Sequence, residues 1–254
     1  MSPLHAPIPS PERILTFGPA GSGKTTAWLD IAKWSARTNS PAKFYVLDTD
    51  FAVERMLTTY PEIVPNVEVY SGYDWNDYIK FQKHVLTHAK AGDWVIIDFI
   101  GSAWDAVQQY FTEQVFKQDI GTYFLQARKE GQKALEGWTD WSVINPLYKQ
   151  WVNPLLFKGR FHVYATAKSD ELSSDKKPTE SKDIRSMFLP YSVKPKGQKD
   201  LPYPFHTLLL TGRDARGTRT LTTVKDRERT EVKGLVLNSF TVDYLKGIGG
   251  WELV

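Results

Sequence analysis

Gly18, Gly23, Lys24 and Thr25 stand at the spacing of a phosphate-binding loop. An apolar run (Ile14, Leu15, Phe17) precedes them, and an alanine- and leucine-bearing segment, Lys24 to Ala36, follows. That strand–loop–helix setting is what anion binding requires. Gly18 permits the tight turn off the strand. Gly21 and Gly23 let backbone N–H groups close on phosphate oxygens with no Cβ in the way. The helix behind the loop aims its positive end at the same anion. Lys24 is expected at the β- and γ-phosphates, and the Thr25 hydroxyl in the shell of a bound Mg²⁺. The binding set runs through Gly18, Pro19, Ala20, Gly21, Ser22, Gly23, Lys24, Thr25 and Thr26. A nucleoside triphosphate is the expected ligand.

Two further groups of carboxylates belong beside it. Asp98 ends the apolar strand Asp93–Asp98, where a carboxylate can hold the Mg²⁺ shell through water. Asp48 and Asp50 close the strand Lys43–Asp50. In an open parallel sheet the carboxyl ends of strands near the loop converge on the ligand. Asp50 is therefore expected to orient the attacking water, with Asp48 structural. A helix cap before Phe51 is the other use of a carboxylate at that place.

The elements that must position these groups alternate. Strands over Arg13–Gly18, Lys43–Asp50, Val67–Tyr70, Asp93–Asp98 and Phe161–Ala167 are separated by helical patterns at 24–36, 51–57 and 75–90. In the last of these, Trp75, Tyr78, Phe81 and Val85 recur at helical spacing. This is the pattern of a mostly parallel α/β sheet flanked by helices. Residues 102–158 break the rhythm as a helical elaboration, with one stripe through Trp104, Val107, Phe111 and Val115 and a second helix from Trp141 to Phe157. Trp138, Trp141 and Trp151 could stack on bases, but such spacing more often marks a core. Residues 168–200 turn polar and are expected to form a long mobile loop. Phe205–Thr211 and Thr218–Val224 bracket a Gly212–Gly217 turn, the signature of an antiparallel hairpin. Residues 1–11 are expected to be a proline-rich disordered lead-in, 12–246 one domain, and 247–254 a tail.

Composition narrows the classes. A hydrophobic content of 41% with nine tryptophans fills a large core, and a net charge of +3 is too small to argue for nucleic acid alone. Cysteine is absent, which excludes disulfides and thiolate metal sites and suits a cytoplasmic protein. The opening residues lack the apolar segment of a signal peptide, and no apolar run approaches membrane-spanning length.

In this order the motifs resemble those of RecA-type P-loop ATPases. Val46–Ala52 is similar to their strand-end acidic motif, with Asp50 where a longer glutamate usually sits. Val95-Ile96-Ile97-Asp98 resembles their Walker B strand, and Thr166 falls where they place a polar γ-phosphate sensor. The polar loop matches their mobile DNA-binding loop. Val224-Lys225-Asp226-Arg227 resembles the lysine-x-arginine pair that hexameric helicases insert into a neighbour's ATP site. The nearest type is the compact RecA-like ATPase of bacteriophage single-strand annealing and recombination. The resemblance covers most of residues 12–230. It implies ATP and Mg²⁺ as cofactors, catalysis through Lys24, Asp50, Asp98, Thr166, Lys225 and Arg227, and a homo-oligomer, ring or filament. Single-stranded DNA is the implied partner, with a single-strand DNA-binding protein as a further one. Ser192–Lys199 is the acid-free basic run, so Lys194, Lys196 and Lys199 are the expected phosphate contacts.

Other readings stay open. A RecA-type motor in replication or genome handling shares nearly every residue. Asp98-Phe99-Ile100-Gly101 also fits a GTPase switch, and Ala167-Lys168-Ser169-Asp170 falls one residue short of a guanine-reading motif. A kinase would need an arginine-rich lid, whereas residues 168–200 hold Arg185 alone among lysines.

Overall fold

Alternation along the central strands decides the architecture. Ile14, Val46 and Ile96 face one apolar layer, while Leu15, Phe17, Leu47, Val95 and Ile97 face another. Strands buried on both sides need helices on both sides. The computed structural model describes residues 11–131, 137–172, 181–227, 233–234, 236–237 and 244–245. Residues 1–10 of the expected lead-in, the expected tail and the side chain of Trp138 lie outside the described residues.

The main sheet contains β1 (Arg13–Gly18), β2 (Phe44–Asp48), β3 (Val67–Ser71), β4 (Trp94–Asp98), β5 (His162–Glu171), β7 (Thr207–Arg213), β8 (Arg219–Asp226) and β9 (Val236–Leu237). Their spatial order is β3-β2-β4-β5-β1-β7-β8-β9. The first six in that row run parallel, and β7–β8–β9 is antiparallel. One face carries α1 (Lys24–Ser35) and the short α2 (Val53–Leu57). The other carries α3 (Trp75–His88), α4 (Ile100–Phe116), α6 (Gly137–Phe157) and α7 (Lys182–Phe188). The expected mostly parallel sheet, helical insertion and terminal hairpin are all present.

Local chemistry accounts for the helix starts. Asp74 accepts N–H bonds from Asn76 and Asp77, and Asp77 returns the favour to the Asp74 backbone, so α3 begins in a capping box. Trp151 joins α6 to α3: its ring is wholly buried and its Nε1–H donates to the Tyr78 carbonyl at 2.9 Å.

Two stretches differ from expectation. The elaboration holds a third helix, α5 (Ile120–Lys129), capped by Asp119. Ala127 is its one buried residue among those described, so an apolar stripe could not reveal it. Residues 168–200, expected as a loop, contain the end of β5, α7 and the short strand β6 (Val193–Pro195). Here β6 pairs antiparallel with the end of β5, Ser169 opposite Pro195 and Glu171 opposite Val193. Among the described residues, no helix is long and apolar enough to cross a membrane.

Candidate active site

The carboxyl ends of β1, β2, β4 and β5 lie side by side, so the loops after them share one edge of the sheet. The phosphate loop leaves β1 at Gly18, where a Cβ would overlap the Thr211 carbonyl and hydroxyl oxygens. Gly23, at φ 98°, turns the chain into α1. The loop is tied from behind by Ser22, whose hydroxyl meets Thr211 Oγ1 at 2.7 Å and donates to the Pro19 carbonyl at 2.8 Å.

Lys24 is buried beneath the loop. Its ammonium donates to the Gly18 carbonyl at 2.9 Å and the Pro19 carbonyl at 2.8 Å. Burial lowers its pKa, Asp98 partly opposes that, and Lys168 adds to it. Phosphate oxygens are stronger partners for an ammonium than these carbonyls. A bound polyphosphate is what the group is poised to accept.

Asp98 is the hub. Its Oδ2 accepts from Thr25 Oγ1 at 2.8 Å and from Trp28 Nε1 at 3.2 Å, and its Oδ1 accepts from Thr166. Burial pushes the carboxyl pKa up, against those three hydrogen bonds, which favour the carboxylate. The Thr25 hydroxyl and Asp98 carboxylate are hard oxygen donors of the kind Mg²⁺ takes together with nucleotide phosphates. The residues therefore fit the ion that the loop implies. Thr166 is buried and donates to the Asp98 carboxylate rather than facing open space.

The two acids after β2 divide. Asp48 is wholly buried, and its Oδ2 accepts from the Val53 N–H at 2.9 Å, holding the first turn of α2. Asp50 is exposed, within the field of Lys24 and Asp98, and Phe51 after it takes a left-handed φ of 58°. Desolvation first, then Asp98 and Asp48, raise the Asp50 pKa from 3.8 to about 6. A carboxyl group tuned toward neutral is suited to exchanging a proton with water.

Three basic residues at this edge escape a motif search. The Arg213 guanidinium donates to the Gly21 carbonyl at 2.9 Å and to the Gly217 carbonyl at 2.7 Å. Arg219 packs on Gly23 so closely that a Cβ there would lie 2.9 Å from its Cδ. Lys168, opposite Gly18 across the sheet, lies with its Nζ 5.3 Å from the Phe99 ring centroid, and Lys24 Nζ is 5.7 Å from the same ring. In the sequence Arg213 falls in the expected turn, Arg219 in the second hairpin strand and Lys168 in the expected loop; only the parallel pairing of β1 with β5 and β7 brings them here.

Lys225 and Arg227 are not brought together with the loop. Asp226 lies level with Thr207, and Thr207 with Ile14, at the opposite end of β1. Four residues of strand, roughly 13 Å, separate that level from Gly18. Lys225 Nζ donates to the carbonyls of Pro202 at 2.9 Å and Phe205 at 2.6 Å, and burial, then Arg227, lower its pKa to about 8. Arg227 donates to the Tyr203 carbonyl at 2.7 Å. Lys194, Lys196 and Lys199 fall on and just after β6, where the Lys196 N–H bonds the Lys168 carbonyl at 2.8 Å. The basic run thus meets Lys168, beside the phosphate-loop edge, at Lys196.

Comparison with known proteins agrees with this geometry. The family described as AAA domain matches residues 10–230. No curated protein sequence matches the chain. Among solved structures, the chain is similar to the crystal structure of the RadB recombinase, with a TM-score of 0.54 and 17% identity over 89% of this chain and 86% of that one. At that identity the likeness establishes the fold, a RecA-like α/β arrangement.

Proposed function

The chain belongs to the AAA domain family, and on that premise we propose that it binds and hydrolyses ATP with Mg²⁺ and acts on single-stranded DNA. The type is the compact bacteriophage annealing and recombination ATPase, working in the host cytoplasm as a homo-oligomer, alongside a single-strand DNA-binding protein. One observation carries the nucleotide half: Asp98 shares a hydrogen bond with Thr25 while Lys24 rests on exchangeable loop carbonyls. In this reading Gly18–Thr26 wrap the phosphates, and Lys24 trades its carbonyl partners for phosphate oxygens. Thr25 and Asp98 would hold Mg²⁺, which neutralises charge on the transferring phosphoryl group. Asp50 orients the water, and Thr166 keeps the Asp98 carboxylate in place. The DNA half is supported by the nearness of the Lys194–Lys199 run to Lys168 and Phe99.

The test is ATPase activity with and without single-stranded DNA, with GTP as competitor. Strong stimulation and weak GTP competition are expected. Absence of stimulation would overturn the DNA reading, and equal competition would favour the GTPase alternative.

A further inference from the structure

Beside the nucleotide edge, a cavity of about 250 Å³ is lined by Phe99, Trp104, Lys168, Lys194 and Lys196, with Asp105 and Asp170 among its walls. Trp104 and Gly197 also line a larger groove of about 850 Å³, whose other walls include Trp141, Asn145, Lys149 and Lys199. Lys149, Gln198 and Asp200 in turn line a third cavity, which reaches Tyr203 and Arg227. Because each shares residues with the next, the three form one trough along the α4–α6 face, from the nucleotide edge toward the far end of β8.

The middle of the trough has an aromatic floor. Trp104 and Trp141 stack with ring centroids 5.8 Å apart and planes 15° off parallel, and Tyr148 meets Trp104 edge-on at 5.4 Å. Both tryptophans are half-buried, so part of each ring is open to the groove. The Tyr148 hydroxyl is buried and makes no hydrogen bond among the described residues. Exposed Lys149, on α6, and exposed Lys199, just after β6, line the same groove. Asp200 is the acid in this part of the wall; it also accepts from Gln198, which bonds Asn145 at 3.1 Å. Indole faces beside flexible cations suit an extended polyanion with flat apolar groups along it.

We propose that this trough is the path of a single DNA strand, and that Trp104 and Trp141 form a platform on which its bases stack. The proposal rests on the single-stranded-DNA reading above and adds the residues that would hold bases rather than phosphates. It also supplies a route between strand and nucleotide. Gly101, in the first turn of α4 after Asp98 and Phe99, lies so close to the Lys196 carbonyl that a Cβ there would approach it to 2.8 Å.

The experiment compares a labelled oligothymidylate with an abasic strand of equal length, in the full-length protein. The parent should prefer the base-bearing strand. Trp141→Leu keeps apolar bulk but removes the large π face, and should weaken oligothymidylate binding about 5- to 100-fold. It should abolish the preference for bases and leave DNA-free ATPase unchanged. Trp141→Phe should recover most of the affinity, which a mere packing defect would not predict. Lys149→Ala should weaken both strands alike and flatten the salt dependence. If the parent binds the oligonucleotide but Trp141→Leu binds and discriminates as it does, the platform is wrong while the DNA reading stands. If the parent binds neither strand, the DNA reading falls and the trough with it.

Discussion

Asp98 gathers more of the site than any other residue, because a buried carboxylate must be hydrogen-bonded to persist. Thr25, Trp28 and Thr166 all satisfy it. Asp98→Asn should therefore weaken Mg²⁺ binding, read as a raised metal concentration for half-maximal activity. Lys24→Ala should abolish hydrolysis and weaken binding of a fluorescent ATP analogue; unaltered affinity and turnover would remove the phosphate-loop assignment. Asp50 gives the pH dependence. Its folded pKa of about 6, raised from 3.8, means that the carboxylate forms late as pH rises. If Asp50 orients the water as proposed, its base is lost below that value, so kcat should climb through about pH 6 and level off above about 7. Stability runs the other way, because the acid is easier to ionise in the unfolded chain. Its contribution is present at low pH and lost between 3.8 and about 6. Asp50→Asn should lower kcat about 100-fold or more with little change in ATP affinity. A flat profile between pH 5 and 7.5, at about the parent rate in the variant, would leave Asp50 without a catalytic part.

Elements set what could be read in advance. The buried strands and α1, α3 and α4 were legible because apolar periodicity and flanking glycines and aspartates agree there. The hairpin was legible from its turn, but its alignment was not. Parallel pairing of β7 with β1 sends Arg213 and Arg219 to the phosphate loop and Lys225 and Arg227 to the far end. Sequence distance carries no information on that choice. The contact of Arg213 with Gly21 predicts that Arg213→Ala loosens the loop and raises the Kd for ATP about 3- to 10-fold. An unchanged Kd in a titration would make the hairpin tip a bystander. The role of Trp151 was equally hidden, since helical spacing does not say which of several tryptophans is enclosed. Trp151 is wholly buried between α3 and α6. Trp151→Ala should cost about 3–5 kcal/mol in denaturant unfolding, whereas half-buried Trp141 should cost much less.

At the scale of the whole molecule, the placement of Arg227 poses a choice about assembly. It cannot serve its own phosphate loop, being at the opposite end of β1 and bonded to the Tyr203 carbonyl. Two roles remain for a cation there. It can complete a neighbour's site, where an arginine supplied in trans stabilises charge on the transferring phosphoryl group. Alternatively it can hold strand phosphates at the far mouth of the trough, which it lines. The two differ in what a mixture does. Under the first, Arg227→Ala binds ATP but barely hydrolyses it, Lys24→Ala is inactive, and together they regain partial activity. A mixed interface then pairs an intact loop on one side with an intact arginine on the other. Under the second, Arg227→Ala keeps DNA-free hydrolysis, loses affinity for oligothymidylate, and gains nothing from mixing. We expect recovery in DNA-free ATPase assays of the two variants combined, alongside a size measurement that demonstrates co-assembly. Co-assembly without recovery would assign Arg227 to the strand and leave hydrolysis to each subunit's own residues.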